Sequence, residues 1–259
     1  KSAKVIVMDE AHSYNSFHGS NVYHVIKRMK KYMKDIQFIG SSATLDNAEE
    51  FFSEMFDLPI DLIQSINTTK GRKRDMHRFF IMPRKYGQRS TMERLSGMCF
   101  RNKRKQLVFS NKHKDAEYLA RNVEEDNKNI RIEVHSGGLK QADKRQTEIA
   151  MKDGDLDIIS CTPTLELGID IGLVDVAISA FKSEYDAFVQ RIGRAGRSGQ
   201  KSYAICVFDP EDATCHYFAR NIPAYLNQDH IIEINKNNSI ISEKHIVERE
   251  YNQHENTDK

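Results

Sequence analysis

From residue 106 to 208 the chain repeats one pattern: a short apolar run, a polar turn, then a stretch with helical spacing. The apolar runs are Leu107-Val108-Phe109 and residues 130–134, 157–161, 174–178 and 203–208. After the first of them, Ala116, Leu119, Ala120 and Val123 recur three and four apart, the spacing of one helix face. A second helix is expected over about 140–151. Strands that alternate with helices of roughly 10–15 residues build parallel βαβ units. The expected fold class is therefore α/β, with parallel sheets flanked by helices.

The same rhythm opens the chain. Val5-Ile6-Val7-Met8 is a run of the buried-strand type, and Asp9-Glu10-Ala11-His12 follows at once. Two adjacent carboxylates at the C-terminal end of a parallel strand stand where open α/β sheets bind ligands. Val22, Val25, Ile26, Met29 and Met33 predict an amphipathic helix whose methionines pack a core. Gln37-Phe38-Ile39-Gly40 reads as the next strand and runs into Ser41-Ser42-Ala43-Thr44, and a helix is expected over about 46–55. Residues 60–66 and 79–82 read as short strands around a basic turn, with a helix over about 91–103.

Two units result. Residues 1–70 are expected to be the C-terminal part of a first domain truncated at its N-terminal side, since the chain starts without Met inside an apolar run. Residues 71–105 are read as a basic linker and the start of the second domain, 106–225 as the second domain, and 226–259 as the start of a further segment. Charge separates these parts more sharply than the overall net of +2 suggests, because residues 71–105 alone hold 12 Lys/Arg against 2 Asp/Glu. Such a block suits a polyanion, and equally a solvated linker. Cys99, Cys161, Cys206 and Cys215 form no CxxC pair, so zinc and a disulfide framework are not expected and reduced intracellular thiols are. No apolar run approaches the roughly 18 residues that cross a bilayer, and the start carries no signal peptide, so the expected setting is cytoplasmic, without a membrane partner.

Gln190-Arg191-Ile192-Gly193-Arg194-Ala195-Gly196-Arg197 concentrates the basic chemistry of the second half. On a helix, Gln190, Arg194 and Arg197 share one face, and planar guanidiniums donate paired charge-assisted hydrogen bonds to phosphate oxygens. Arg191 points elsewhere, with an intradomain salt bridge and a functional role as its two readings.

The ordered series Asp9 to His12, Ser42-Ala43-Thr44, Phe109-Ser110, residues 162–170 and Gln190 to Arg197 resembles the superfamily 2 helicases over about residues 1–210. Within them, His12-Ser13-Tyr14, Gly19-Ser20-Asn21-Val22 and Leu165 to Gly172 are similar to the YprA/MrfA group of DNA-repair helicases, as is the tail with Asp229-His230, Asn238 and His245. The resemblance implies tandem RecA-like P-loop NTPase domains, ATP and Mg2+ as cofactors, and nucleic acid as partner, DNA before RNA. It implies that Asp9 serves magnesium, Glu10 the attacking water, and Gln190, Arg194 and Arg197 the γ-phosphate. His12, Ser42 and Thr44 would couple nucleotide state to domain movement, unless Ser42 and Thr44 only cap the next helix. Gly168 and Asp170 would lie by the nucleotide. Ser110, His135, Ser136 and Thr162 would meet the nucleic-acid backbone through hydroxyls and main-chain amides; His135 also reads as an ordinary loop histidine. Glu166 reads as a solvated charge or as a partner for its own loop.

One departure stands out. No GxxxxGK[ST] loop occurs to cradle phosphates, and Gly199-Gln200-Lys201-Ser202 lacks the Gly-Lys pair. The P-loop is expected to precede Lys1 in a parent protein, and these 259 residues alone are expected not to hydrolyse ATP. The other readings are an RNA helicase and a non-catalytic nucleic-acid-binding remnant.

Overall fold

The computed structural model describes residues 4–33, 35–42, 45–66, 75–166, 171–197 and 199–246. The chain divides into two units, residues 1–69 with 229–259, and residues 70–228.

In the first unit, β1 (Val5–Met8) and β2 (Gln37–Gly40) pair in parallel, Val5 opposite Gln37 and Met8 opposite Gly40. The crossover is α1 (Ser16–Tyr32), and α2 (Ala48–Phe56) follows β2. Met8, Tyr23, Ile26, Phe51, Met55 and Phe56 form the core. The inward stripe of α1 is Gly19, Ser20, Tyr23 and Ile26, while Val25 is exposed. This differs from the Val/Met stripe expected from sequence. The shift has a cause in Gly19, which lies against the Tyr14 carbonyl where a Cβ would collide. Residues 60–66 form a single 3-10 turn (Ile60–Leu62) instead of a strand.

The tail corrects a second expectation. Residues 229–246 do not start a separate segment; they return to the first unit. Ile234 enters its core. The Asn47 amide brackets Ile232, donating to its carbonyl (2.9 Å) and accepting from its N–H (3.1 Å). Ser20 Oγ donates to the Asn235 carbonyl at 2.8 Å. The buried Ser20 on α1 is thus a docking point for backbone 215 residues away.

The second unit holds β3 (Met76–Ile81), α3 (Gln88–Arg101), β4 (Gln106–Phe109), α4 (His113–Asp126), β5 (Ile132–His135), α5 (Gln141–Asp153), β6 (Ile158–Cys161), β7 (Val176–Ala180), α6 (Tyr185–Ile192), β8 (Ser202–Val207), α7 (Ala213–Arg220) and α8 (Ile222–Leu226). Its six strands are all parallel, in the order β3-β8-β7-β4-β6-β5. Alternate residues supply the two faces. Leu107, Phe109, Ile159, Ala177 and Cys206 meet Met151, Phe188, Ile192 and Tyr225 on one side. Val108, Ile158, Ile178 and Val207 meet Met92, Leu119 and Val123 on the other. Helices on both faces of a wholly parallel sheet make an α/β fold of the RecA-like type.

Residues 71–105 are therefore not mainly a linker. The described part, from 75, supplies the edge strand β3 and the packed helix α3. Several of its cations are engaged inside the unit: Arg89 pairs with Glu93 and Asp115, Arg94 lies 4.0 Å over the Tyr86 ring, and Arg101 donates to Asn127.

Candidate functional site

Parallel pairing of β1 and β2 sets Asp9-Glu10 beside Ser41-Ser42, where both strands end. The ladder runs one step beyond the sheet, Ser41 N–H to Met8 O at 2.9 Å and Ala11 N–H to Ser41 O at 2.8 Å. Asp9 Oδ1 accepts the Ser41 hydroxyl and, at 2.9 Å, the Glu10 N–H. Chiefly the Ser41 hydrogen bond, and then that N–H, holds the Asp9 carboxyl below its ordinary range, because both donors favour the charged form. Glu10 occupies the left-handed region, φ 50° and ψ 50°. His12 is buried, its Nδ1 3.3 Å from Ser42 Oγ and 3.6 Å from Glu10 Oε2. Asp9, Glu10, His12 and Ser42 are thus brought together, and Thr44 lies outside the described residues. Ser41 is a member that sequence reasoning passed over; only the strand register picks it out.

This donor set fits magnesium. Asp9 offers an exposed carboxylate held in its charged form, which would suit a hard cation. Mg2+ in nucleotide sites is held by one or two carboxylates together with substrate phosphates and water. Ser41→Ala removes the largest influence on Asp9, so its titration midpoint should rise toward the ordinary ~3.9. Carboxyl 13C NMR across pH 2–6 reads this directly, and an unmoved midpoint would refute the assignment.

In the second unit the expected helix over 190–197 is shorter. α6 ends at Ile192, where Gly193 caps it through its N–H to Val189 O (2.8 Å). At Gly196 φ is +69°, and a Cβ would strike the Ser202 side chain. After Ile192 the helix loosens into a turn that the left-handed Gly196 ends, so one regular helix does not carry Gln190, Arg194 and Arg197 together. Gln190 is half-buried on the last turn. Arg194 is 5% exposed and its Nη2 donates to the Glu166 carbonyl at 2.7 Å. Arg197 is exposed, with Nε donating to Gly193 O at 3.2 Å.

Arg191 is the best-connected side chain here and is fully buried. Its Nε meets Glu166 Oε1 at 2.7 Å; its Nη1 donates to Ser179 Oγ (2.9 Å), Ala180 O (3.0 Å) and Asn111 Oδ1 (3.2 Å). The guanidinium also lies over the Phe109 ring. Of the two readings of Arg191, the geometry shows the intradomain salt bridge. Glu166 is not a solvated charge; its carboxylate holds Arg191 and its carbonyl holds Arg194. Gly168 and Asp170 lie outside the described residues.

Ser110, His135, Ser136 and Thr162 gather at the C-terminal ends of β4, β5 and β6, and all four are buried. The main-chain amides of Ser110 and Thr162 extend the sheet ladder, to Cys161 O and His135 O, so they are not open to a phosphate. His135 uses both ring nitrogens, Nδ1 with Thr164 Oγ1 (2.8 Å) and Nε2 with Glu148 Oε1 (3.0 Å). That corrects its assignment to a backbone contact, because its ring is committed inside the unit. Ser110 instead lines a polar recess of about 340 Å³ with Gln88, Arg89, Asn111 and Lys112.

Comparison with known proteins agrees with this architecture. The DEAD/DEAH box helicase model matches residues 1–51 and the helicase conserved C-terminal domain model matches residues 88–199. The chain belongs to the superfamily 2 helicases. It is 28% identical to an ATP-dependent helicase of Methanocaldococcus jannaschii over 95% of this chain and 37% of that protein. Against the ATP-dependent helicase YprA of Bacillus subtilis it is 28% identical over 95% of this chain and 35% of the relative. The crystal structure of the DUF1998 helicase MrfA bound to DNA and AMPPNP superposes with a TM-score of 0.83 at 26% identity, over 94% of this chain and 36% of that one. The chain is similar to the YprA/MrfA group in both sequence and fold. It spans little more than a third of the length of these relatives. No described helix is long and apolar enough to cross a membrane.

Proposed function

We propose that the chain forms the motor portion of an ATP-dependent DNA helicase. The observation that carries this reading is the Asp9-Glu10-His12 group at the ends of β1 and β2, locked by Ser41 and Ser42. In this reading Asp9 holds the magnesium of the nucleotide, and Glu10 orients the attacking water and takes its proton. Arg197 and Arg194 supply positive charge to the γ-phosphate, through guanidiniums suited to phosphate oxygens. Gln190 and His12 connect these groups to the state of the nucleotide, and Ser110 meets the backbone of the bound strand, a contact that positions without reading sequence. DNA is favoured over RNA because MrfA, a structural neighbour at 26% identity, is seen bound to DNA.

The test is ATP hydrolysis by the intact protein with single-stranded DNA or RNA of equal length. DNA should stimulate turnover more strongly, and Glu10→Gln should abolish it. Stimulation by RNA alone would favour an RNA helicase, and turnover that Glu10→Gln leaves untouched would remove Asp9-Glu10 from the chemistry.

A further inference from the structure

The second unit leaves one face of its sheet partly uncovered. α3 packs chiefly on β7 and β4, and α4 on β5 and β6. On that same face β3 and most of β8 carry no helix among the described residues. Their opposite face is closed, with Phe80 of β3 against Phe188, Phe208 and Tyr225. The bare strip is a groove of about 390 Å³ between α3 and the sheet edge, walled by Phe79, Ile81, Tyr203, Ile205, Leu95 and Met98. Phe79 and Met98 are each 47% exposed. Strands lie about 4.8 Å apart, so two strands leave a strip of about 10 Å, the width of one helix with its side chains.

Charge says what kind of helix fits. Arg104 lines one end of the groove, is exposed, and makes no ion pair among the described residues. It belongs to the segment that holds 12 Lys/Arg against 2 Asp/Glu. We propose that this groove docks an amphipathic helix of a protein partner, with apolar side chains laid over Phe79, Ile81 and Met98 and a carboxylate reaching Arg104. The interaction is the helix-in-groove mode, anchored at helical spacing, and a wholly parallel sheet buried on both faces is the state it completes.

Cys99 sits in the groove wall and, unlike Cys161, Cys206 and Cys215, is only half-buried. It reports occupancy of the groove. The probe is a synthetic peptide of about 14 residues with Leu at helical spacing i, i+3, i+4, i+7 and Glu elsewhere; its counterpart carries Lys for Glu. Intact protein is treated with N-ethylmaleimide at mildly alkaline pH, since burial pushes the Cys99 thiol up. Mass spectrometry then reads the tryptic fragment that contains Cys99. At about ten times its Kd the acidic peptide should slow Cys99 alkylation roughly tenfold. The Lys peptide should not, and Arg104→Glu should reverse the preference. Equal alkylation with and without the acidic peptide, equal protection by both peptides, or protection by single-stranded DNA in place of the peptide would each overturn the proposal.

Discussion

Arg197→Ala in the intact protein should leave ATP affinity nearly unchanged and lower kcat by on the order of 10³–10⁵-fold. The reasoning is differential: a cation that meets charge developing on the γ-phosphate acts in the transition state more than in the ground state. Arg197 is the cleaner choice of the two arginines. It is exposed, with Nε donating to Gly193 O in its own turn, whereas Arg194 is buried and ties down the Glu166 carbonyl. Arg194→Ala would therefore mix chemistry with loop disorder. Arg197→Lys should recover little, because an ammonium keeps the charge and loses the paired donors. Single-turnover kinetics and fluorescent-nucleotide binding separate the two quantities. Unchanged turnover would remove Arg197 from the γ-phosphate.

Arg191→Leu should destabilise the second unit by about 3–5 kcal/mol, the usual consequence of deleting one partner of a buried ion pair. Glu166, with a side chain only 15% exposed, would keep a carboxylate facing an apolar pocket, and Ser179 and Asn111 would each lose a donor. The double substitution Arg191→Leu with Glu166→Leu should recover much of the loss, since no stranded charge remains. Urea unfolding of the intact protein followed by far-UV circular dichroism measures both. A single variant as stable as the parent would show that the network holds the fold only weakly.

Most of the second unit's sheet was legible because the strands from β4 onward are short, mainly apolar and punctuated by turns, whereas the edge strand β3, with His77 and Arg78 inside it, was read only in its last residues. The end of α6 was less so: the arginines invite a continuous face, and the left-handed Gly196 that breaks it shows only in three dimensions. Arg191 is harder still. An arginine inside a core depends on partners 25 and 80 residues away, Glu166 and Asn111, and no local pattern carries that information. The same holds for the return of Ile232 and Ile234 to the first unit, since nothing local sets them apart from the other isoleucines of the tail. Asp9, Glu10 and His12 were legible as types and order, while Ser41 depended on a register that pairs Met8 with Gly40.

Glu10 stands at φ 50° and ψ 50°, a conformation glycine and asparagine adopt at little cost and a glutamate does not. Sparsely populated backbone of this kind costs of order 1–3 kcal/mol. The turn that presents the carboxylate is therefore held against its own preference by the ladder through Ser41 and Ala11. If Glu10 activates water as proposed, activity and robustness pull in opposite directions at this one residue: Glu10→Gly would ease the turn and end hydrolysis, so selecting variants for heat resistance alone would drift toward a sturdier, inert protein.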